Sequence, residues 1–366
     1  MISVDVALKL GAFDLEVAFE NDAGIIALFG RSGSGKSVTI NLIAGLVRPD
    51  RGRIVLDGRV LLDTKAGIFV PKYRRRVGLV FQDAQLFPHF SVRRNLLFGH
   101  WFAPQQEPGI AFDAVVATLG IGHLLDRHPT LLSGGERQRV AIGRALLSSP
   151  KILLMDEPLA ALDSERKLEI LPLIESLRDE FRIPIVYVSH AVEEVARLAA
   201  RVVVLENGRV TAVGSVEDVL GQNLAFTGES RFAQSSVITG RLSRVDTDYG
   251  LTEIAHPAGT IWLVGEAGPV GREARVIIHA TDITLSPTKP PPNLSIRTIL
   301  SGTVAGITFD HGPLASVAIS LDGHGQLVAL VTRKAIDELG LHRDDQVYAL
   351  VKTVALDERM VAAKQA

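Results

Sequence analysis

Three short runs in the first half of the chain combine residue types and spacings suited to phosphate chemistry. Gly30-Arg31-Ser32-Gly33-Ser34-Gly35-Lys36-Ser37 fills every position of the pattern G-x-x-x-x-G-K-[ST]. Its glycines free backbone N–H groups to curl around phosphate oxygens, and the helix that must follow adds the partial positive charge of its N-terminus. Lys36 is placed to reach β- and γ-phosphates, and the Ser37 hydroxyl to ligate Mg²⁺. Ile152-Leu153-Leu154-Met155-Asp156-Glu157 is an apolar run ending in two adjacent carboxylates. At the C-terminal edge of a sheet, Asp156 would hold Mg²⁺ and Glu157 would polarise an attacking water. The third run, Leu132-Ser133-Gly134-Gly135-Glu136-Arg137-Gln138-Arg139, has the S-x-x-E spacing of a helix capping box. Capping does not account for the paired glycines, whose bare N–H groups are open to an incoming anion.

These runs need rigid elements to hold them. IIALF (25–29), ILLM (152–155), IVYVS (185–189) and VVVL (202–205) are near-continuous apolar segments, as expected of strands buried on both faces. Helical segments follow the first three: KSVTINLIAGL, SERKLEILPLIESLRDEF and AVEEVARLAA. Such alternation predicts a mostly parallel α/β sheet, and the Gly30–Ser37 pattern assigns it to the P-loop NTPase class. A helix is also predicted from Ser133 to Pro150. After about Phe232, strand-like runs such as ARVIIHA (274–280) and SVAISL (316–321) alternate with turn residues, and LDGHGQL (321–327) reads as a hairpin connection. SPTKPPPN (286–293) reads as a linker or rigid turn. The expected organisation is an α/β domain at 1–230, a β-rich connecting region at 231–292 and a small all-β barrel at 293–356.

Bulk properties narrow the function classes. The chain has 366 residues, enough for two domains, and its 47% hydrophobic and 22% charged content argues against disorder. Net charge is −2, from 39 basic and 41 acidic residues, so no global field favours nucleic acid. Cysteine is absent, which excludes disulfides and thiolate metal sites and fits a reducing compartment. MISVDVALKL alternates like a strand and lacks the apolar stretch of a signal peptide. No run reaches the roughly 18 apolar residues needed to span a bilayer. A membrane, if involved, lies beside this chain.

LSGGERQR resembles the signature motif of the ABC ATPase family, and its place between the P-loop and Asp156 matches that family. The resemblance covers residues 1–230 and implies an ABC ATPase domain with a helical subdomain, using ATP and Mg²⁺. It further implies a head-to-tail homodimer in which Ser133, Gly134 and Gly135 of one subunit close on the γ-phosphate held by the other. Residue by residue, Gln82 in GLVFQD resembles the glutamine linking Mg²⁺ and the attacking water to the transport subunit. Asp163 in LAALD resembles the loop aspartate that communicates between sites, and His190 resembles the switch histidine that contacts the γ-phosphate. Phe13 and Phe19 are the aromatic residues upstream of the P-loop that could meet adenine.

Within the family, RRRVGLVFQDAQLFPH and LLDRHPTLLSGGERQRVAIGRALL are similar to the ATP-binding subunits of molybdate importers. The aromatic-rich segment Phe81–Gly99 lies where importers receive a helix of the membrane subunit. SIRTILSGTVAGI (295–307) and VALVTRKAIDELGLHRDDQVYALVKTVAL (328–356) resemble the Mop/TOBE-type fold, an OB-like barrel that binds molybdate or tungstate. By that resemblance Ser295, Arg297 and Lys352 fall near oxyanion-contacting positions. Thr298 stands where asparagine is usual, and Arg343-Asp344-Asp345 replaces a glycine-containing turn. The implied partners are two integral membrane permease subunits and, indirectly, an extracytoplasmic molybdate-binding protein. The implied location is the cytoplasmic face of the inner membrane. Importer ATPases for sulfate, iron or polyamines carry similar barrels and share these motifs, and a soluble ABC ATPase outside transport is the other class they allow.

Overall fold

The computed structural model describes residues 1–22, 24–101, 109–222, 234–309, 312–353, 356 and 361–363. The expected boundary at 230/231 lies outside them. The chain divides into two compact units, one of Met1–His190 with Leu198–Val213, the other of Ala191–Arg197 with Gly214–Ala366.

In the first unit the strands are β1 (Ile2–Leu10), β2 (Phe13–Asn21), β3 (Ile25–Phe29), β4 (Arg51–Leu56), β5 (Arg59–Asp63), β6 (Ile68–Phe69), β7 (Val77–Val80), β8 (Ile152–Asp156), β9 (Ile185–Ser189), β10 (Arg201–Glu206) and β11 (Arg209–Ser215). Helices α1 (Lys36–Ala44), α2 (Val92–Trp101), α3 (Phe112–Thr118), α4 (Gly134–Leu146) and α5 (Ser164–Phe181) follow the same chain order; α6 (Val192–Leu198) comes next in sequence, all but Leu198 of it in the second unit. All eleven strands join one sheet in the order β6-β5-β4-β1-β2-β11-β10-β3-β9-β8-β7. From β10 to β7 the pairing is parallel. Every residue of β3 and β9 is buried, which explains their uninterrupted apolar sequences. β1 and β2 instead alternate buried and exposed positions, as antiparallel strands with one wet face do. Helix α4 stops at Leu146, earlier than the expected Pro150, because Leu147–Ser149 close it with turn bonds and Ser149 takes φ +50°.

One buried cation fixes the helix that carries the P-loop. Arg75 is 1% exposed, and its Nη1 donates to the carbonyls of Leu42 and Ile43 at 2.8 and 2.9 Å, at the C-terminal end of α1. Its Nε donates to Val70 O at 2.8 Å, and the guanidinium lies over the Phe69 ring at 5.0 Å. A cation at the negative end of a helix is favourable. Burial lowers its pKa to about 10, which leaves it charged at neutral pH. Gly45 must be glycine here: it holds φ +75°, and a Cβ would stand 2.5 Å from Arg75 Nε.

The second unit adds α7 (Val216–Gln222), β12 (Ser235–Asp246), β13 (Leu251–His256), β14 (Gly259–Val264), β15 (Glu273–His279), β16 (Ile283–Ser286), β17 (Thr298–Phe309), β18 (Leu314–Leu321), β19 (Gln326–Thr332), α8 (Arg333–Leu339), β20 (Gln346–Val351) and β21 (Val361–Ala363). They form two five-stranded antiparallel sheets, β14-β13-β12-β15-β21 and β16-β20-β17-β18-β19. Residues of both sheets, from Ile238 to Leu356, share a single apolar core. The β18–β19 connection is the expected hairpin, and a register shift between Val304 and Gly306 bends β17. In the Arg343-Asp344-Asp345 turn, Asp344 takes φ +70° and the Asp345 carboxylate accepts from His342 N–H at 2.7 Å, doing with side chains what a glycine-containing turn does with backbone.

Candidate functional site

The P-loop links β3 to α1, and its conformation depends on its glycines. Gly30 (φ +152°) and Gly35 (φ +106°) sit where a Cβ would lie 2.2 Å from the Leu205 carbonyl oxygen and 2.5 Å from Leu15 Cδ1 respectively. Gly33 takes φ +79°. Lys36 is 4% exposed and donates through Nζ to Gly30 O at 2.8 Å and Arg31 O at 2.9 Å, which draws its ammonium across the loop. Burial lowers its pKa, opposed by the nearby charges of Glu157 and Asp156. The Ser34 hydroxyl is buried with no hydrogen-bond partner among the described residues. Such a group is costly unless something binds it, and a phosphate oxygen would.

β8 runs beside β9 and carries the two carboxylates to the same edge of the sheet. Ser37 Oγ donates to Asp156 Oδ1 at 3.0 Å. Burial raises the Asp156 pKa, while the Ser37 bond lowers it. Glu157 turns away from β8 with φ +44°, in the left-handed region, and its N–H donates to Val188 O at 3.1 Å. A non-glycine residue persists there only when its surroundings hold it. Its two oxygens face different partners: Oε1 lies 3.6 Å from Lys36 Nζ, and Oε2 lies 3.2 Å from His190 Nδ1, at the end of β9. The structure therefore brings together Lys36, Ser37, Asp156, Glu157 and His190, five residues from three separate segments.

A hydroxyl and a carboxylate within 3.0 Å form a hard-oxygen donor set suited to Mg²⁺, which typically takes one or two carboxylates and fills its other positions with water and substrate phosphates. Among the described residues no group of three or more His, Asp or Glu side chains gathers as a self-sufficient metal site. Gln82 is exposed, two residues beyond Val80, where β7 pairs with Met155 of β8, so it stands at the same sheet edge as Asp156.

Ser133 caps α4 in full: its Oγ accepts from Glu136 N–H at 3.3 Å, and Glu136 Oε2 accepts from Ser133 N–H at 2.6 Å. That backbone bond holds the Glu136 carboxyl below its ordinary pKa. No hydrogen bond joins Ser133, Gly134 or Gly135 to the Lys36–Glu157 cluster among the described residues. Asp163 accepts from Arg166 N–H at 2.9 Å and so caps α5. Phe19 is buried in the core of the first unit, whereas half-buried Phe13 places its ring against the P-loop, 3.3 Å from where a Gly35 Cβ would be.

Residues not singled out by motif reading hold the segment after Gln82. On α4, Gln138 Nε2 donates to Phe81 O at 3.3 Å, and Arg144 donates to Ala84 O and Gln85 O at 3.2 and 2.9 Å while lying 5.2 Å over the Phe87 ring. Asn95, fully buried, bonds Phe87 through both its N–H and its carbonyl and also donates to the carbonyls of Phe90 and Ser91. Phe87, His89, Phe90, Phe98 and Trp101 then meet in a chain of tilted and edge-on ring contacts, with Trp101 62% exposed. A buried polar residue placed one helical turn after an F-P-x-F-S segment is the signal that would have found Asn95.

In the second unit Ser295, Arg297 and Lys352 are all exposed. The pairing of Thr298 with Val351 sets Arg297 and Lys352 at adjoining ends of β17 and β20. Thr298 is fully buried, and its hydroxyl accepts from Trp262 N–H at 2.8 Å and donates to Trp262 O at 3.3 Å.

Residues 16–160 match the ABC transporter family model, and residues 294–357 match the TOBE domain model. The chain is 50% identical over 362 residues to the molybdenum import ATP-binding protein ModC of Mesorhizobium japonicum, covering 99% of this chain and 97% of that protein. It is 49% identical over 357 residues to the protein of the same name from Rhizobium meliloti, covering 97% and 99%. Among solved structures, CbiO1 of Clostridium perfringens, part of the ABC transporter complex CbiONQ, superposes with a TM-score of 0.52 at 29% identity, over 61% of this chain and 91% of that one. The ATP-binding cassette MJ0796, a dimer bound to ADP and Pi, gives 0.50 at 28% identity, over 59% and 99%.

Proposed function

The chain belongs to the ABC transporter ATP-binding proteins of the molybdenum-import type, and from that premise we propose that its ATPase cycle powers molybdate uptake through the residues assembled around Glu157. The observation that carries the catalytic reading is the convergence of Lys36 and His190 on the two oxygens of Glu157. The P-loop N–H groups, Ser34 and Lys36 bind the β- and γ-phosphates of ATP. Ser37, Asp156 and Gln82 would hold Mg²⁺, which would supply charge neutralisation at the phosphates. Glu157 orients and deprotonates the attacking water, and His190 contacts the γ-phosphate. Most of the rate enhancement then comes from fixed donors and charges rather than covalent chemistry.

Ser133 caps α4, and among the described residues no hydrogen bond joins Ser133, Gly134 or Gly135 to the Lys36–Glu157 cluster, which supports their acting on the nucleotide of a second copy. The working unit is accordingly a homodimer with two nucleotides between its subunits and Asp163 near the junction. The aromatic ledge from Phe87 to Trp101, tied to α4 by Arg144, receives the membrane permease subunits. No helix among the described residues is long and apolar enough to cross a membrane. Membership of the importer ATPases supports peripheral attachment at the cytoplasmic face of the inner membrane. An extracytoplasmic molybdate-binding protein would deliver the substrate. Ser295, Arg297 and Lys352 offer exposed hydroxyl and cationic groups to an oxyanion at the C-terminal unit, molybdate or tungstate being the class expected.

ATP-dependent uptake in vesicles containing the chain with its membrane subunits tests this reading. Accumulation of molybdate in preference to sulfate is the expected result. Accumulation of sulfate without molybdate would overturn the substrate and leave the ATPase assignment standing.

A further inference from the structure

The segment that follows His190 belongs to the other unit. His190 ends the first stretch of the N-terminal unit, Ala191–Arg197 is part of the C-terminal unit, and Leu198 returns to the first. That seven-residue excursion contains nearly all of α6, and two rungs of one ladder hold it. β12 and β15 pair Ser235 with His279 and Thr239 with Arg275. The rungs are four residues apart, so their side chains leave the same face of the sheet.

At the first rung, Ser235 Oγ lies 2.8 Å from His279 Nδ1, and both approach Glu193 Oε1, at 3.5 and 3.9 Å. Glu193 is in the first turn of α6. The second rung reaches the other end of the helix: Arg275 Nη1 donates to Ala196 O at 3.2 Å. Arg275 is 2% exposed and is locked in place by Glu217 of α7, whose carboxylate accepts from its Nε at 2.8 Å and its Nη2 at 3.3 Å. Thr239 completes the rung, its hydroxyl 3.4 Å from Glu217 Oε1. A two-pronged guanidinium–carboxylate contact in a buried setting fixes direction as well as distance.

We propose that this face of β12 and β15 is a positioning element for His190, with Arg275 its principal residue and Glu217 the group that aims it. Gripped at Glu193 and at Ala196, α6 cannot slide or rotate without breaking one rung, and only Ala191 separates it from the switch histidine. The two rungs thereby fix the start of α6, one residue from His190. Any ligand or partner that displaces β12 and β15 acts on hydrolysis through the same seven residues. Arg275 touches no reacting atom and is a positioning residue. The inference rests on the proposed role of His190 at the γ-phosphate.

The test is a double-mutant cycle on the full chain. Arg275→Met is measured alone and in a His190→Ala background, by steady-state and single-turnover ATP hydrolysis. A misplaced catalytic group costs rate rather than ground-state binding, so Arg275→Met is expected to lower kcat by about tenfold with KM for ATP changed less than about twofold. In the His190→Ala background it should subtract nothing further, because coupled residues are non-additive. An equal fold-loss in both backgrounds, or an unchanged kcat, overturns the inference. Glu217→Gln retains the side chain's shape and serves if Arg275→Met fails to fold. It should give a smaller kcat loss that also vanishes in His190→Ala, and additivity there would again overturn the inference. Wild-type turnover by His190→Ala alone would sink the histidine's assignment and this inference with it. A defective His190→Ala beside an unaffected Arg275→Met would sink the inference alone.

Discussion

Arg144 of the signature helix donates from Nη1 to the Gln85 carbonyl at 2.9 Å, across the 59 residues that separate them in sequence. The same guanidinium reaches Ala84 O and covers the Phe87 ring, and burial lowers its pKa. The helix that would meet a partner's nucleotide and the segment leading from Gln82 to the aromatic ledge are thus fastened by one side chain. Charge-assisted bonds to backbone carbonyls hold a loop against a helix more firmly than packing alone.

Replacing Arg144 with Met should uncouple the two. The variant should bind ATP with unchanged affinity, because no P-loop contact is lost, while transporter-stimulated hydrolysis falls by about tenfold. Nucleotide titration set beside ATPase activity in membrane vesicles checks both halves of the statement.

Gly35→Ala should abolish nucleotide binding rather than slow the chemistry. The new Cβ would stand 2.5 Å from Leu15 Cδ1, with Phe13 Cζ at 3.3 Å, and φ +106° is closed to L residues. A loss of ATP affinity beyond about 100-fold is expected, read by binding of a fluorescent ATP analogue, with the melting temperature without nucleotide lowered by only a few degrees.

The C-terminal unit should weaken in mild acid. His256 is 8% exposed, its Nδ1 accepts from Ala258 N–H, and its ring lies 4.6 Å from that of His324. Burial, with the neighbouring His324 charge, lowers its pKa from 6.5 to about 4. The unfolded chain therefore binds the extra proton first, and stability present above pH 6.5 is lost as pH falls toward 4. Linkage gives a loss of about 2 kcal/mol at pH 5 relative to neutrality. Melting of wild-type protein and His256→Leu at pH 7 and pH 5 checks this: the variant should be less stable at pH 7 and show a flatter response.

What the sequence disclosed was chemistry carried by contiguous residues. The P-loop, the Asp156-Glu157 pair and the Ser133 capping box are local patterns, each fixed by backbone geometry within eight residues. The buried strands around them were readable from apolar runs, and the family emerged from motif order. Arg75, Gln138 and Arg144 were not readable, because each acts on backbone carbonyls distant in sequence. In a string of letters, a buried arginine bonded only to carbonyls looks like a surface charge. Nor did alternation of apolar residues reveal that 234–279 builds a sheet sharing a core with 283–351, or that Arg275 and Glu193 would meet the same seven-residue segment. Those relationships depend on strand order, which hydrophobic pattern does not encode.

The central claim is that Glu157, set between Lys36 and His190, activates the water that cleaves ATP while the nucleotide holds two subunits together. Sedimentation of Glu157→Gln with ATP and Mg²⁺, paired with phosphate release, tests it most directly. The amide keeps the side chain's size but cannot take a proton, so hydrolysis should fall by about 10²–10⁴-fold. The protein should sediment as an ATP-dependent dimer that ADP does not support. Hydrolysis near the wild-type rate would contradict the role of Glu157, and a monomer that binds ATP without associating would contradict the shared site.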